Sequence, residues 1–274
     1  MKASRVAVRL LVSLAIASIA LVAAAPAASP AKEADDCRET PWSYHPPTGP
    51  ERWPSLNPCY APCAGGEQSP IDLRDAERRP LPPLGFFYGK VPLHVVHTGH
   101  DIKANLPTDL PVEGRTLRIR GVAYHLVQFH FHRPSEHTVR GKERPVEIHL
   151  VHEGPGGRVA VVGIFIVPGA ENPELSKIWK RLPQQRCQRE DVQDFNLRKL
   201  LPRSLASFRY AGSLTTPACG QGVAWNVLAS PITMLPKQIE EIRKLFSGKD
   251  FPKGNRRPVQ PLNGRELVTD VRGQ

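Results

Sequence analysis

The stretch Gln128-Phe-His-Phe-His132 decides how the fold is interpreted. Its alternation of polar and aromatic residues is typical of a β-strand, in which successive side chains point to opposite faces. The glutamine and the two histidines would then share one face, and the two phenylalanines the other. We therefore predict a strand with a buried aromatic face and a polar face that carries two imidazoles.

A second stretch, Glu147-Ile-His-Leu-Val151, has the same alternation. It would place Glu147, His149 and Val151 on one face. The segment 133–145 between the two stretches is long enough for the strands to lie side by side and antiparallel. Three imidazoles would then converge on one point, with no fourth protein ligand in view.

Three neutral histidines with one open position form the ligand set of a catalytic zinc site, whereas structural zinc usually has four protein ligands. Metal-bound histidines also need an acceptor for their other ring nitrogen. Gln128 and Glu147 each lie two residues from a ligand, on the same face. A single strand histidine is usually a core or surface residue, but three converging ones favour a metal. We predict Zn2+ bound by His130, His132 and His149.

Short apolar segments alternate with turn signals along most of the chain, which indicates strands. One stretch, 237–246, has clear helical periodicity, and a weaker helix is predicted over 173–181. The Pro-, Gly- and aromatic-rich segment 41–63 is predicted to be a surface wrap without helix. Neither an internal repeat nor a change of composition marks a second domain. We predict one mainly β domain with peripheral helices and strands at 93–96, 101–106, 116–119, 122–132, 146–152 and 159–167.

The N-terminus has the features of an export signal. Basic residues precede an apolar run over 10–25, and small residues follow it. We predict a signal peptide over 1–27, cleaved near Ala27 or Ala28, and a mature domain over 28–274 that is periplasmic or secreted. The alternative is an uncleaved anchor, because the run approaches the roughly 20 residues that span a bilayer. No later stretch is long and apolar enough to span, so we expect no stable membrane anchor after cleavage.

The chain is basic, with a formal net charge of +11. Without the three cations of the signal peptide, the mature chain would carry about +8. Its cations are scattered, which favours a solubility role; we expect no nucleic-acid partner, and anionic surfaces are a weaker alternative. The five cysteines favour disulfides in an oxidising compartment, and their odd number leaves a thiol free or paired between chains. A homodimer is left open.

Six segments together resemble the alpha class of carbonic anhydrases, in the order in which they occur in that family. The resemblance implies a large, twisted, mixed but mostly antiparallel central sheet with zinc at the bottom of a conical cleft. It also implies reversible hydration of CO2 to bicarbonate and a proton, by attack of zinc-bound hydroxide. The segments are QSPIDL at 68–73, QFHFH at 128–132, SEHTV at 135–139, EIHLVH at 147–152, GSLTTP at 212–217 and RPVQPLN at 257–263.

The resemblance assigns roles to individual residues. Thr215 would orient the hydroxide, and Glu136 would accept a hydrogen bond from the Thr215 hydroxyl. His137 would be a buried structural neighbour. His100 would carry the proton from the zinc site to solvent. Thr216 would lie on the bicarbonate side of the cavity, and the apolar wall for CO2 would consist of Val151, Val161, Leu214, Val223 and Trp225.

The resemblance also implies a disulfide between Cys63 and Cys219, as in similar secreted members. At most one further bond can form within the chain among the remaining three cysteines, and we favour Cys37–Cys187 over the other pairings.

Three positions depart from the family pattern without removing a catalytic group. Arg133-Pro134 stands where Trp-Gly is usual, Lys103 replaces a neutral amide, and Ala218 replaces a second proline. Two other functions are weighed: a catalytically silent carbonic-anhydrase-like binding module, and a zinc hydrolase acting on esters. The first typically lacks a zinc histidine, and no Gly-x-Ser-x-Gly motif supports a separate hydrolase.

Overall fold

A twelve-stranded mixed sheet organises residues 40–271, the part of the chain that this computed structural model describes. The predicted signal peptide lies outside these residues. The strands are β1 (Glu77–Arg78), β2 (Gly85–Tyr88), β3 (Lys90–His97), β4 (Ile102–Asn105), β5 (Arg115–Ile119), β6 (Val122–His132), β7 (Val146–Glu153), β8 (Val159–Pro168), β9 (Arg189–Asn196), β10 (Ser207–Ser213), β11 (Gln221–Met234) and β12 (Val268–Thr269).

The main path of the sheet runs β1-β12-β10-β11-β8-β7-β6-β4-β3-β9, and β2 joins it through β5, which pairs with β6. Most neighbours are antiparallel; β11 with β8 and β1 with β12 are parallel. This arrangement confirms the predicted mixed, mostly antiparallel sheet. Within residues 40–271, three α-helices lie outside it: α1 (Trp53–Leu56), α2 (Pro173–Trp179) and α3 (Pro236–Leu245). Among the described residues, none of the helices has the length and apolar character needed to cross a membrane.

All six predicted strands and both predicted helices are present, within a few residues of the expected bounds. The other six strands, β1, β2, β9, β10, β11 and β12, were not predicted. Strand β9 lies at the edge of the sheet and buries only Val192 and Phe195, so its sequence is mostly polar. Strand β11 contains Pro231, which argues against a strand in sequence, but this residue lies where the pairing with β8 is irregular.

The expectation of a helix-free segment over 41–63 is wrong. Helix α1 begins with a proline in its first turn, where the missing N–H costs no hydrogen bond, and a 3-10 helix covers Pro58–Ala64. The aromatic residues anchor the segment as expected. The Trp53 ring is fully buried, and its Nε1–H donates to the carbonyl oxygens of Ser43 (3.0 Å) and Thr48 (3.2 Å).

The two faces of the sheet contribute to different apolar clusters. Phe129 and Phe131 of β6 are completely buried in the larger cluster. Val151, Val161 and Trp225 belong to a second cluster. The alternation of side chains along β6 and β7 therefore buries the phenylalanines on one face and leaves the three predicted ligands, His130, His132 and His149, to the other.

A buried histidine in β7 links folding to pH. The His152 ring is fully buried; its Nδ1 lies 3.3 Å from the Ala160 carbonyl oxygen, which can only accept, and its Nε2 lies 2.6 Å from the Tyr88 hydroxyl. The neutral ring thus has a partner at both nitrogens. Burial disfavours the charged form and lowers the pKa of His152 from 6.5 to about 4.

We expect this histidine to destabilise the fold in acid. Between pH 6.5 and 4 the unfolded chain binds the proton that the folded chain excludes, so the stability that His152 contributes falls as pH falls through this window. A depression of this size corresponds to about 3 kcal/mol. The free energy of unfolding, measured with urea on chelator-treated protein, should fall less between pH 7 and pH 4 in the double variant His152→Phe/Tyr88→Phe than in the wild type. Tyr88→Phe alone keeps the imidazole and should keep the wild-type slope; equal slopes in wild type and double variant would contradict the assignment.

Candidate metal centre

The pairing of β6 with β7 brings the three predicted ligands together. His130 lies directly opposite His149 in the antiparallel register. The ring centroids are 5.0 Å apart for His130 and His132, 5.4 Å for His130 and His149, and 4.6 Å for His132 and His149. One nitrogen from each ring lies within 4.8 Å of the others. The three imidazoles therefore surround a space that one metal ion could fill.

Each of these rings has one nitrogen held by an oxygen acceptor. His130 Nδ1 lies 2.8 Å from Gln128 Oε1, and His149 Nε2 lies 2.8 Å from Glu147 Oε1. His132 Nδ1 lies 2.8 Å from the carbonyl oxygen of Asn255. Since these oxygens accept, the bonded nitrogens carry the hydrogens. The lone pairs then belong to Nε2 of His130, Nε2 of His132 and Nδ1 of His149.

The donor set fits a zinc ion. His132 Nε2 is buried and has no hydrogen-bond partner among the described residues, which is costly unless something binds it. Burial lowers the pKa of both His130 and His149, so their rings are held in the neutral form that metals bind. Neutral imidazole nitrogens and a missing fourth protein ligand suit catalytic zinc.

Glu147 anchors the second strand of the site. It is completely buried, and its Oε1 accepts hydrogen bonds from His137 Nδ1 (2.7 Å) and His149 Nε2 (2.8 Å). Its Oε2 accepts from the backbone N–H groups of Glu136 (3.0 Å) and His137 (2.9 Å). Burial by itself would raise the pKa of Glu147, but the two imidazoles outweigh it and lower this pKa well below its ordinary value.

His137, Glu147 and His149 are also close enough to hold an ion. We reject this grouping because their facing atoms are already joined by hydrogen bonds, and because the other ring nitrogen of His137 lies 2.7 Å from the Tyr210 hydroxyl. His137 is therefore placed as a buried neighbour of the ligands, in the position that the resemblance implied.

Asn255 is the functional residue that the sequence interpretation missed. It lies 123 residues after His132, and nothing local to it indicates a metal site. Besides holding His132 through its carbonyl oxygen, Asn255 accepts the Arg133 N–H at Oδ1 (2.8 Å). Its Nδ2 donates to the carbonyl oxygens of Phe131 (2.8 Å) and His100 (3.0 Å). Asn255 thus ties the end of β6 to the loop that carries His100.

The candidate ligands open onto a cavity of about 190 Å3. Four of the five predicted apolar wall residues line it, and Thr215 and Thr216 lie at the same cavity. Val223 does not line it but packs in the cluster behind it, with Val151, Val161 and Trp225. The residues around the cavity are Asp101, Lys103, Gln128, His130, His149, Val151, Val161, Leu214, Thr215, Thr216 and Trp225.

Comparison with known proteins identifies this arrangement. A model of the eukaryotic-type carbonic anhydrase family matches residues 48–271. The chain belongs to the alpha carbonic anhydrase family. It is 41% identical over 229 residues to a carbonic anhydrase of Klebsiella pneumoniae, covering 83% of this chain and 90% of the relative.

Solved structures agree with this family assignment. The alpha-carbonic anhydrase of Thermovibrio ammonificans, solved with the inhibitor sulfanilamide, superposes with a TM-score of 0.77 at 40% identity, over 84% of this chain and 99% of that one. Dioscorin, solved with ascorbate, has a TM-score of 0.76 at 31% identity, over 85% and 100% of the two chains. The family is zinc-dependent, and the histidine cluster of this carbonic anhydrase can hold such an ion.

Glu136 and Thr215 lie near the centre, but no hydrogen bond joins them. Glu136 Oε1 accepts the backbone N–H of Arg257 (2.7 Å). Its Oε2 lies 3.4 Å from His132 Nε2 and 3.8 Å from His149 Nδ1, and it has no hydrogen-bond partner among the described residues. Glu136 is completely buried and Thr215 is 5% exposed. The predicted bond between them stays a prediction.

His100 lies away from the cavity lining. Its ring stacks on Trp42 with centroids 3.8 Å apart and an interplanar angle of 12°. Burial lowers the pKa of His100 from 6.5 to about 4. Asp101 opposes this shift, whereas Arg186 and, to a smaller extent, Lys103 and His97 add to it. Lys103 thus lowers this pKa, but burial and Arg186 contribute more.

The three departures from the family pattern have different surroundings. Arg133 is bound through its backbone to Asn255, and the Arg133-Pro134 peptide is cis, as is Pro217-Ala218. Lys103 lines the cavity and lies 3.8 Å from Asp101.

The cysteines form the expected Cys63–Cys219 disulfide, which joins residues 156 positions apart. It ties the proline-rich segment to the loop that follows Thr215. The preference for Cys37–Cys187 is wrong, because Cys187 is an exposed free thiol. Cys59 is disulfide-bonded. The Cys187 backbone N–H donates to the His97 carbonyl oxygen (2.8 Å).

A substitution at Gly254 tests the role of Asn255 in holding His132. Gly254 has φ +79°, and a Cβ there would lie 1.8 Å from the Arg133 carbonyl oxygen. Gly254→Ala must therefore displace Asn255. Loss of an acceptor for a metal-bound histidine typically weakens metal affinity roughly 10- to 100-fold. We expect a zinc Kd raised by about this factor, measured by competition with a chromophoric chelator.

The matched control is Gly248→Ala, at φ +84° with nothing within 4 Å of the new Cβ. This variant has a comparable backbone strain but should keep wild-type zinc affinity. Equal affinities for Gly254→Ala and wild type would rule out the positioning role of Asn255.

Proposed function

We propose that this chain catalyses the reversible hydration of CO2 to bicarbonate and a proton, with Zn2+ held by His130, His132 and His149. One observation carries the proposal: three imidazoles, each with one ring nitrogen held by an oxygen acceptor, converge beside a small cavity with an apolar wall. CO2 is small and nonpolar, so an apolar wall suits it. When bound, zinc would activate a water molecule for attack at neutral pH, a role for which carbonic anhydrases are the standard example.

The protein holds the reacting groups in place. Gln128, Glu147 and Asn255 fix the ring orientations of the three histidines, so no reorganisation is needed when the ion binds. Val151 and Val161 keep polar groups away from the CO2 side of the cavity. Thr216 lies at the same cavity and supplies a hydroxyl for a product that carries charge.

Glu136 and Thr215 would select the orientation of the attacking oxygen. An ionised carboxylate can only accept, so a bond from the Thr215 hydroxyl to Glu136 would leave the threonine oxygen free to accept from the nucleophile. The unpartnered Oε2 of Glu136 is the acceptor available for this bond. Catalytic hydrogen bonds are often long in unliganded enzymes and shorten when the complex forms.

The reaction and its metal are tested together by stopped-flow CO2 hydration on purified protein before chelation, after chelation, and after zinc is added back. We expect hydration that disappears with the metal and returns with it. Zinc-loaded protein that hydrates CO2 no faster than buffer would favour the silent binding module. Ester hydrolysis that survives zinc removal would favour a separate hydrolase.

His100 is our proposed proton carrier between the zinc site and solvent. It lies on the loop that Asn255 ties to β6, and its stacking on Trp42 places the ring beyond the cavity lining. A pKa of about 4 is poorly matched to a proton acceptor at neutral pH, since transfer is most efficient when the carrier pKa lies near the working pH. Burial, which lowers this pKa most, and the neighbouring cations would therefore both restrain this carrier.

Removing Arg186, the largest cationic contribution, should raise the pKa of His100 and raise kcat in weakly buffered solution, with kcat/KM unchanged. We expect Lys103→Gln to act in the same direction by less. The His100 pKa is measured by NMR titration of its ring protons. In a His100→Ala background, the Arg186→Gln change should have no effect on kcat; an increase there would exclude His100 as the carrier.

We also propose that the chain is exported, as its N-terminal composition predicts. The Cys63–Cys219 disulfide supports an oxidising compartment. The mass of the mature chain, recovered from the compartment in which it accumulates, would decide whether residues 1–27 are removed.

A further inference from the structure

A second cavity, of about 500 Å3, lies on the other face of the sheet from the candidate metal centre. Arg209 and Ala211 of β10 pair with Asn226 and Ala224 of β11. Paired residues of antiparallel strands share a face, and the ring of Trp225, which lies between Ala224 and Asn226 in sequence, is 4.8 Å from the His149 ring on the zinc side. Trp225 belongs to the lining of both cavities, and the sheet separates the arginines of this one from the histidines of the other.

Positive charge dominates the lining of this back-face cavity. Four arginines face it, Arg79, Arg120, Arg209 and Arg265, against the two carboxylates Glu67 and Glu266. Glu266 is already paired with Arg79 at 2.6 Å. The Arg120 side chain forms no hydrogen bond or ion pair with the described residues. The cavity thus presents more guanidinium charge than its own carboxylates neutralise.

Arg209 shows this lack of compensation at the atomic level. Its Nε donates to Ser207 Oγ (2.9 Å) and its Nη1 to the Pro82 carbonyl oxygen (2.8 Å). Its Nη2 is buried and has no hydrogen-bond partner among residues 40–271. Burial lowers the pKa of Arg209, and the charge of Arg120 adds to this effect, although Asp270 opposes it. A buried guanidinium without a full set of acceptors is costly, so an anion beside it would stabilise the fold.

Much of the remaining lining is apolar. Ala211 and Ala224 line the cavity beside Asn226, and Leu81, Ile119 and Val268 contribute aliphatic surface. Its volume is within the range of small-molecule sites, in which an apolar lining with a few charged groups is usual. An inorganic anion would satisfy the arginines but leave the aliphatic surface uncovered.

We propose that this cavity binds a small organic anion, with a carboxylate or phosphate group between Arg120 and Arg209 and an apolar body against the two alanines. Guanidinium groups recognise both oxyanions through paired N–H donors. The site is independent of the zinc chemistry and requires no metal.

The test uses zinc-loaded full-length mature protein with 13C-labelled alanine and valine methyl groups, titrated with phenyl phosphate and with benzoate. We expect saturable shifts of the Ala211 and Ala224 methyls. The Val151 and Val161 methyls report on the metal cavity and distinguish anions bound at zinc. Inorganic phosphate should bind more weakly than phenyl phosphate, and benzyl alcohol, which lacks the charge, should cause no saturable shift at the two alanines.

Two kinds of variant separate charge from shape. Arg120→Gln and Arg209→Gln should each weaken binding by about tenfold or more, the loss expected for a charge-assisted hydrogen bond. Ala211→Leu should weaken binding by filling the cavity while every charge is kept. The matched control Arg158→Gln removes one exposed charge elsewhere and should leave the affinity unchanged.

Arg120 has no partner to lose, so its variant tests the site even where Arg209→Gln fails to fold. Shifts confined to Val151 and Val161 would overturn the proposal, as would shifts that never saturate. Equal weakening by Arg158→Gln and Arg120→Gln would show unspecific charge screening and would also overturn it.

Discussion

The register of β6 against β7 is the constraint on which the site depends. Pairing His130 opposite His149 brings the three candidate ligands, His130, His132 and His149, to one point. A slip of one residue would send them to opposite faces of the sheet and expose the phenylalanines of β6. The buried face enforces the register, because Phe129 and Phe131 are completely buried in the large cluster. The metal geometry is thus secured by apolar packing on the face that contains no metal ligand.

Glu147 fixes the orientation of the His149 ring that this register brings to the site. Its carboxylate accepts four hydrogen bonds, two from imidazoles and two from backbone N–H groups, so no acceptor oxygen is left without a partner. A buried carboxylate is tolerated only with such compensation. Gly163 of β8 leaves the room it needs, because a Cβ there would lie 2.9 Å from Glu147 Oε1. The fixed tautomer of His149 therefore depends on a glycine in the neighbouring strand, which no motif around the histidines indicates.

Local sequence pattern predicted those strands that can be recognised from their own residues alone. Alternation identified β6, β7 and β8, and spacing identified the three converging imidazoles and the glutamine and glutamate beside them. The third acceptor, Asn255, could not be found in this way, because it acts through its backbone oxygen and any residue can supply one. The polar edge strand β9 was missed because only two of its side chains are buried. The Cys63–Cys219 bond came from resemblance rather than from spacing, and the other cysteines show how little spacing alone decides.

Basic residues lie near both cavities of the sheet. Burial, and then the charges of Arg186 and Lys103, lower the pKa of His100, although Asp101 opposes them. The same cations would attract an anionic product, because fields of opposite sign steer charged ligands. In the proposed reaction, cations that attract bicarbonate and disfavour protonation of His100 would act in opposite directions on two steps. The balance between these steps would then depend on charges outside the histidine cluster.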